Sequence, residues 1–105
     1  MNWIYLFFAG LFEIGWPLGL KLSQTMPSKI TGIIIAVISM ILSGILLWLA
    51  QKTIPIGTAY AVWTGIGAVG TLLIGIACFG DSASIWRMFS ALLIIMGIIG
   101  LKLAH

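Results

Sequence analysis

The sequence predicts an all-α integral membrane protein with four transmembrane helices per subunit, and three observations carry the prediction. Of 105 residues, 62% are hydrophobic and only 7% are charged, whereas a soluble domain holds about a quarter of its residues charged. The apolar residues fall into four runs, and a hydrocarbon core of about 30 Å needs about 20 such residues in a helix. Turn-formers and ionisable residues separate the runs. The single cysteine, Cys78, excludes a disulfide scaffold, and the low polarity excludes a disordered chain. A net charge of +3, scattered along the chain, does not suit a nucleic-acid partner.

In chain order, helices are expected over 3–21, 30–50, 55–79 and 86–103, forming one transmembrane domain over 1–105. The first run is interrupted only by Glu13; the second and third carry no charge. No basic region precedes the first run, so it reads as a retained helix and not as a cleaved signal. The fourth has only the 14 residues Met88 to Leu101 between Arg87 and Lys102. Those two side chains are therefore expected to snorkel, or the bilayer to thin. Connections are expected at Ser23 to Lys29, Gln51 to Pro55 and Gly80 to Ser84, with Pro55 near a helix start, where its missing N–H costs least. Trp3, Tyr5, Trp48 and Trp86 lie near span ends, as interfacial anchors do.

Four crossings put Lys52, Lys102 and the terminal amine on one side and Lys21, Lys29 and Arg87 on the other. Three positive groups against three give no preferred orientation. Insertion both ways, giving an antiparallel (dual-topology) homodimer of mutually inverted subunits, is the simplest expectation. A weak bias that the count does not resolve is the alternative.

Glu13 is the residue that membrane solubility does not explain. It lies ten residues after Trp3, about 15 Å along a helix and so near the bilayer midplane. An acidic side chain at that depth costs about 3 kcal/mol on insertion scales. No basic residue shares the depth, so a transport or proton-binding site is expected, against the alternative of a protonated, packing Glu. Ala9, Gly10, Trp16 and Pro17 share its face. Gly10 leaves room for a ligand or another backbone, Trp16 offers an aromatic wall for a cation, and Pro17 predicts a kink with the Glu13 carbonyl freed.

In the third helix Tyr60 and Trp63 share a side, continued roughly by Gly67 and Gly70; the second helix carries Ser39 and Ser43 on one face. A Ser43 hydroxyl at midplane depth can donate to the Glu13 carboxylate; helix packing, or a bond to its own preceding turn, is the alternative. Gly65-Ile-Gly67-Ala-Val-Gly70 matches a dinucleotide fingerprint literally, but it lies inside a span with no preceding strand, so close helix approach or bending is the better reading. Cys78 and His105 stand alone, so no metal site is expected. The sequence holds no nucleophile–base pair or phosphate cradle, hence no enzyme and no cofactor. Ser90, Ala91, Gly97 and Gly100 permit tight packing on the fourth helix, which reads as the assembling one.

Length, four spans and a single embedded acid resemble the small multidrug resistance family. Ala9-Gly10-Leu11-Phe12-Glu13-Ile14-Gly15-Trp16, the stretch Pro55-Ile-Gly-Thr-Ala-Tyr60-Ala-Val-Trp63-Thr-Gly-Ile-Gly67 and the closing Gly97-Ile-Ile-Gly100-Leu-Lys102 are similar to its guanidinium exporter (Gdx/SugE-type) subfamily. The resemblance implies an antiparallel homodimer in a bacterial inner membrane, with a shared central site and alternating access. It also implies proton-coupled export of guanidinium and small substituted guanidinium cations, protons and substrate competing for Glu13. Trp16 and Ser43 would be hydrogen-bond partners of the acid, Tyr60 and Trp63 lining and gating aromatics, and Gly10 the small neighbour. Pro17 departs from the small residue usual there. The rival readings are an exporter of quaternary ammonium or aromatic cations, one subunit of a paired heterodimeric exporter, and a ring-forming proton-carrying subunit, which four spans and the aromatic face disfavour.

Overall fold

A computed structural model describes residues 2–104, so the terminal amine and His105 lie outside the described residues. Four helices account for the fold: α1 (Asn2–Thr25), α2 (Lys29–Ala50), α3 (Ile56–Cys78) and α4 (Ile85–Ala104). Each is long and apolar enough to cross a membrane.

Local chemistry places the helix ends. α1 continues past the expected stop because Ser23 and Thr25 donate their hydroxyls back to the carbonyls of Leu20 and Lys21, at 2.6 and 3.2 Å. These residues satisfy themselves within the helix, which shortens the first connection to 26–28. Pro55 caps α3, its carbonyl accepting the Ala59 amide at 2.9 Å. Ser84 precedes α4, its side chain accepting the Arg87 amide at 3.3 Å. Arg87 therefore belongs inside α4, whose 20 residues reach about 30 Å, more than its apolar centre alone. Lys102 lies against the Trp3 ring, 5.3 Å from its centroid, and Lys52 lies 4.7 Å from the Trp48 centroid. Both cations thus spend their charge on interfacial aromatics.

α1 packs along α2 and against α3, and α4 contacts α3 alone by backbone proximity. Without a hydrophobic driving force between helices in lipid, close approach of small residues holds such pairs together. The α1–α2 seam does this with Gly19, Gly32 and Ala36: a Cβ on Gly19 would stand 2.7 Å from both the Ala36 nitrogen and the Gly32 oxygen. The buried cluster of Leu6, Ala50, Ile54, Ala59 and Val62 fills the end of the bundle that holds the start of α1 and the α2–α3 connection. An Asn2–Thr53 side-chain hydrogen bond closes that end.

Gly97 and Gly100 of α4 face open space, and Ala91 is the buried residue of that helix. Of the small residues expected to permit tight packing, Ser90, Gly97 and Gly100 are uncovered in one chain.

Candidate functional site

Glu13 is the twelfth of the 24 residues of α1, at mid-height. It is half-buried, and its carboxylate accepts the Trp16 indole N–H at 2.8 Å. A bond of this kind, from a neutral donor to a charged group, is stronger than one between neutral partners. α1 runs unbroken through Pro17, but Pro17 has no N–H to give to the Glu13 carbonyl four residues back.

Gly65, Gly67 and Gly70 of the third helix act as sockets for side chains of its neighbours. A Cβ on Gly67 would stand 2.5 Å from Glu13 Cγ, so the absence of a side chain there admits the acid itself. Gly65 receives Ile98 of α4 and Gly70 receives Ile14 of α1. Gly10 receives Ile66, to whose Cβ an added methyl would approach within 2.6 Å, so that space holds a packed side chain.

Ser43 differs from expectation. It is buried, and its hydroxyl proton goes to the Ala9 carbonyl at 2.7 Å, while its oxygen accepts the Trp63 indole N–H at 2.8 Å. A hydroxyl has one proton to donate, so Ser43 does not donate to the Glu13 carboxylate in this arrangement. The Ala9 carbonyl is the one that accepts the Glu13 amide in an α-helix. Ser43 thus steadies the acid's own helical turn through the backbone and ties Trp63 to it. Tyr60 leans on Trp63 with ring centroids 5.5 Å apart and is 57% exposed. Neither aromatic lines the cavity beside Glu13 in a single chain.

That cavity has a volume of about 470 Å³ and runs from Glu13, Thr64 and Gly67, past Pro17, Ala68 and Thr71, to Asp81 and Arg87. A second of about 210 Å³ shares Pro17, Thr71 and Asp81 with it and reaches Lys21 and Gly75. Sequence reasoning missed Thr64, Thr71 and Asp81 as lining residues. Thr64 lies four residues after Tyr60 and Thr71 four after Gly67, so both share a face with those two residues, and a helical count from them finds both. Thr64 donates to the Tyr60 carbonyl at 2.7 Å, leaving its oxygen free to accept. Chemically the cavity presents one deep carboxylate and hydroxyl acceptors, with Asp81 and Arg87 also on its wall, and the carboxylate and hydroxyls suit a small organic cation with several N–H donors. No cluster of metal-ligating side chains occurs among the described residues.

The sequence pattern of a family described as Small Multidrug Resistance protein matches residues 1–94, including the acid and all of α3. The chain is 54% identical over 104 residues to the guanidinium exporter of Proteus vulgaris, covering 99% of each chain. It is 55% identical to that of Yersinia pestis over the same shares. For the guanidinium exporter of Escherichia coli (strain K12) the identity is 52%, over 99% of this chain and 98% of the relative. These relatives are named as exporters, not enzymes. With a family pattern spanning nearly the whole chain, four membrane-crossing helices and relatives matched end to end, this multi-pass membrane protein belongs to the small multidrug resistance family.

Proposed function

We propose that the chain is a proton-coupled antiporter that exports guanidinium and small substituted guanidinium cations from the bacterial cytoplasm by alternating access. Protons and substrate compete for Glu13. The observation that carries the reading is a mid-height carboxylate held by Trp16, seated against Gly67 and open to a cavity with hydroxyl acceptors. Guanidinium fits such a group because its planar N–H fork pairs bidentately with a carboxylate. Its lost hydration must be replaced by hydrogen bonds, and Thr64 and Thr71 are acceptors within the same cavity. The names of the relatives support the same substrate class.

The working unit is an antiparallel homodimer in the inner membrane. Its support is the balanced flanking charge, the open flank beside Glu13 and the uncovered Gly97 and Gly100 on α4. A second copy would bring its own Glu13, Tyr60 and Trp63 to the shared cavity. If only loaded or protonated forms reorient, the inward proton gradient drives the cation out.

Guanidinium-driven proton flux in proteoliposomes tests the reading. Glu13→Gln keeps the shape and removes the exchangeable charge, so coupled flux is expected to fall by at least about 30-fold, the lower bound for removing one partner of a buried charged pair. In the wild type the KM for guanidinium is expected to rise with falling pH, about tenfold per unit where one proton competes. Coupled flux surviving in Glu13→Gln would falsify the proposal.

A further inference from the structure

Asp81 is the other acidic residue of the chain, and it lines the same cavity as Glu13 from the opposite end. We propose that Asp81 is a positioning residue for the transported cation, offsetting the positive charge at the mouth of the Glu13 cavity and drawing the cation toward it. The inference rests on the cation-export reading above.

The chain turns back at this point for local reasons. Gly80 has φ of +72°, a left-handed conformation that glycine adopts without strain, and it ends α3. The Gly75 carbonyl then accepts two amides, from Phe79 at 3.0 Å and from Asp81 at 3.1 Å. This fold-back lays the Asp81 carboxylate over Gly75, where a side chain on residue 75 would collide with it. Asp81 is thereby held over α3 at the cavity wall.

Its surroundings are cationic. Arg87 lines the larger cavity with it and Lys21 lines the smaller one. Asp81 forms no ion pair with a described residue, and the Arg87 Nε is buried without a hydrogen-bond partner among them. The carboxylate is accordingly not consumed by a fixed salt bridge. With Asp81 ionised, the mouth carries two positive groups and one negative; without it, an incoming cation meets two positive groups alone. Asp81 is exposed, so its influence acts through the field at the mouth and is screened by salt, over about 8 Å at physiological ionic strength. Charged cavity mouths of this kind change association rates and local ion concentration, not the chemistry within.

Guanidinium-driven flux in proteoliposomes, measured at about 10 mM and about 500 mM potassium chloride, separates this role from a structural one. Asp81→Asn is expected to raise the KM for guanidinium about three- to tenfold at low salt with an unchanged maximal rate, and less than about twofold at high salt. Asp81→Glu is expected to stay within about twofold of wild type, and Arg87→Gln to lower the low-salt KM. Gly75→Ala keeps the charge but displaces it, and is expected to raise the KM in the same salt-dependent way. An unchanged KM in Asp81→Asn at low salt, or an equal rise at both salts, overturns the inference. Should Asp81→Asn not fold, Gly75→Ala and Arg87→Gln decide it by the same criterion. Glu13→Gln in the same vesicles keeps the two readings apart. Flux surviving there refutes the site itself, whereas an essential Glu13 with a silent Asp81 refutes only the mouth.

Discussion

The two ends of this bundle are built differently. Toward Asn2 and the α2–α3 connection, Leu6, Ala50, Ile54, Ala59 and Val62 are sealed from the outside, with Trp3, Leu47, Trp63 and Ile98 packed around them. Toward Lys21 and Asp81, cavities of about 470 and 210 Å³ replace the core. Glu13 sits at the boundary. Ser43 and Trp63 hold the turn above it through Ala9, and Trp16 holds its carboxylate from the turn below. The end toward Asn2 holds the sealed cluster beside an apolar cavity of about 220 Å³ among Trp3, Phe7, Val62 and Ile98, and the end toward Asp81 holds the volume in which, on the proposed reading, a cation would be coordinated and released. A site on rigid elements keeps its geometry better than one built on loops, and Glu13 has the sealed cluster toward Asn2 on one side and the close α1–α2 seam of Gly19, Gly32 and Ala36 on the other.

Substitutions should therefore divide by end. Leu6→Ala, at a side chain 0% exposed, is expected to cost about 2–3 kcal/mol in a reversible unfolding measurement. That is the low end of the range for soluble cores, because lipid competes as an apolar solvent. Guanidinium KM of the folded fraction should stay within about twofold, and a large change in KM would break the division.

Gly67→Ala does the reverse. Its methyl would stand 2.5 Å from Glu13 Cγ, and overpacking of this kind costs about 1–3 kcal/mol. We expect that cost to fall mainly on the placement of the carboxylate, because alanine improves the helix itself by about 1 kcal/mol. Guanidinium binding by titration calorimetry should weaken about tenfold while thermal stability holds nearly level.

Ser43→Ala probes the boundary and has the smallest expected effect. It strands the Trp63 indole N–H and takes the hydroxyl donor from the Ala9 carbonyl, for about 1 kcal/mol of stability. Ser43→Thr, which retains a hydroxyl, should recover part of that loss. If Ser43→Ala leaves stability untouched and alters only transport, Ser43 belongs to the open end.

Much of the fold was legible because its determinants are local. Four apolar runs, the punctuation between them and the mid-span depth of Glu13 need only hydropathy and a 1.5 Å rise of about that size per residue. Trp16 beside Glu13 was legible for the same reason, since i and i+3 share a face of one helix. The Ser43 partner was not. Two acceptors, the Glu13 carboxylate and the Ala9 carbonyl, lie about one turn apart on α1, and only the relative height of α1 and α2 chooses between them.

Sequence by itself determined the number of spans, the solitary mid-membrane acid and its aromatic neighbour, because each follows from the period and length of a single helix. Tertiary structure alone decided that Gly67 receives Glu13, Gly65 receives Ile98 and Gly70 receives Ile14, and that Asp81 turns back onto the cavity. These pairings depend on how each helix is rotated and offset against another, a relation that no one-dimensional pattern within a helix contains.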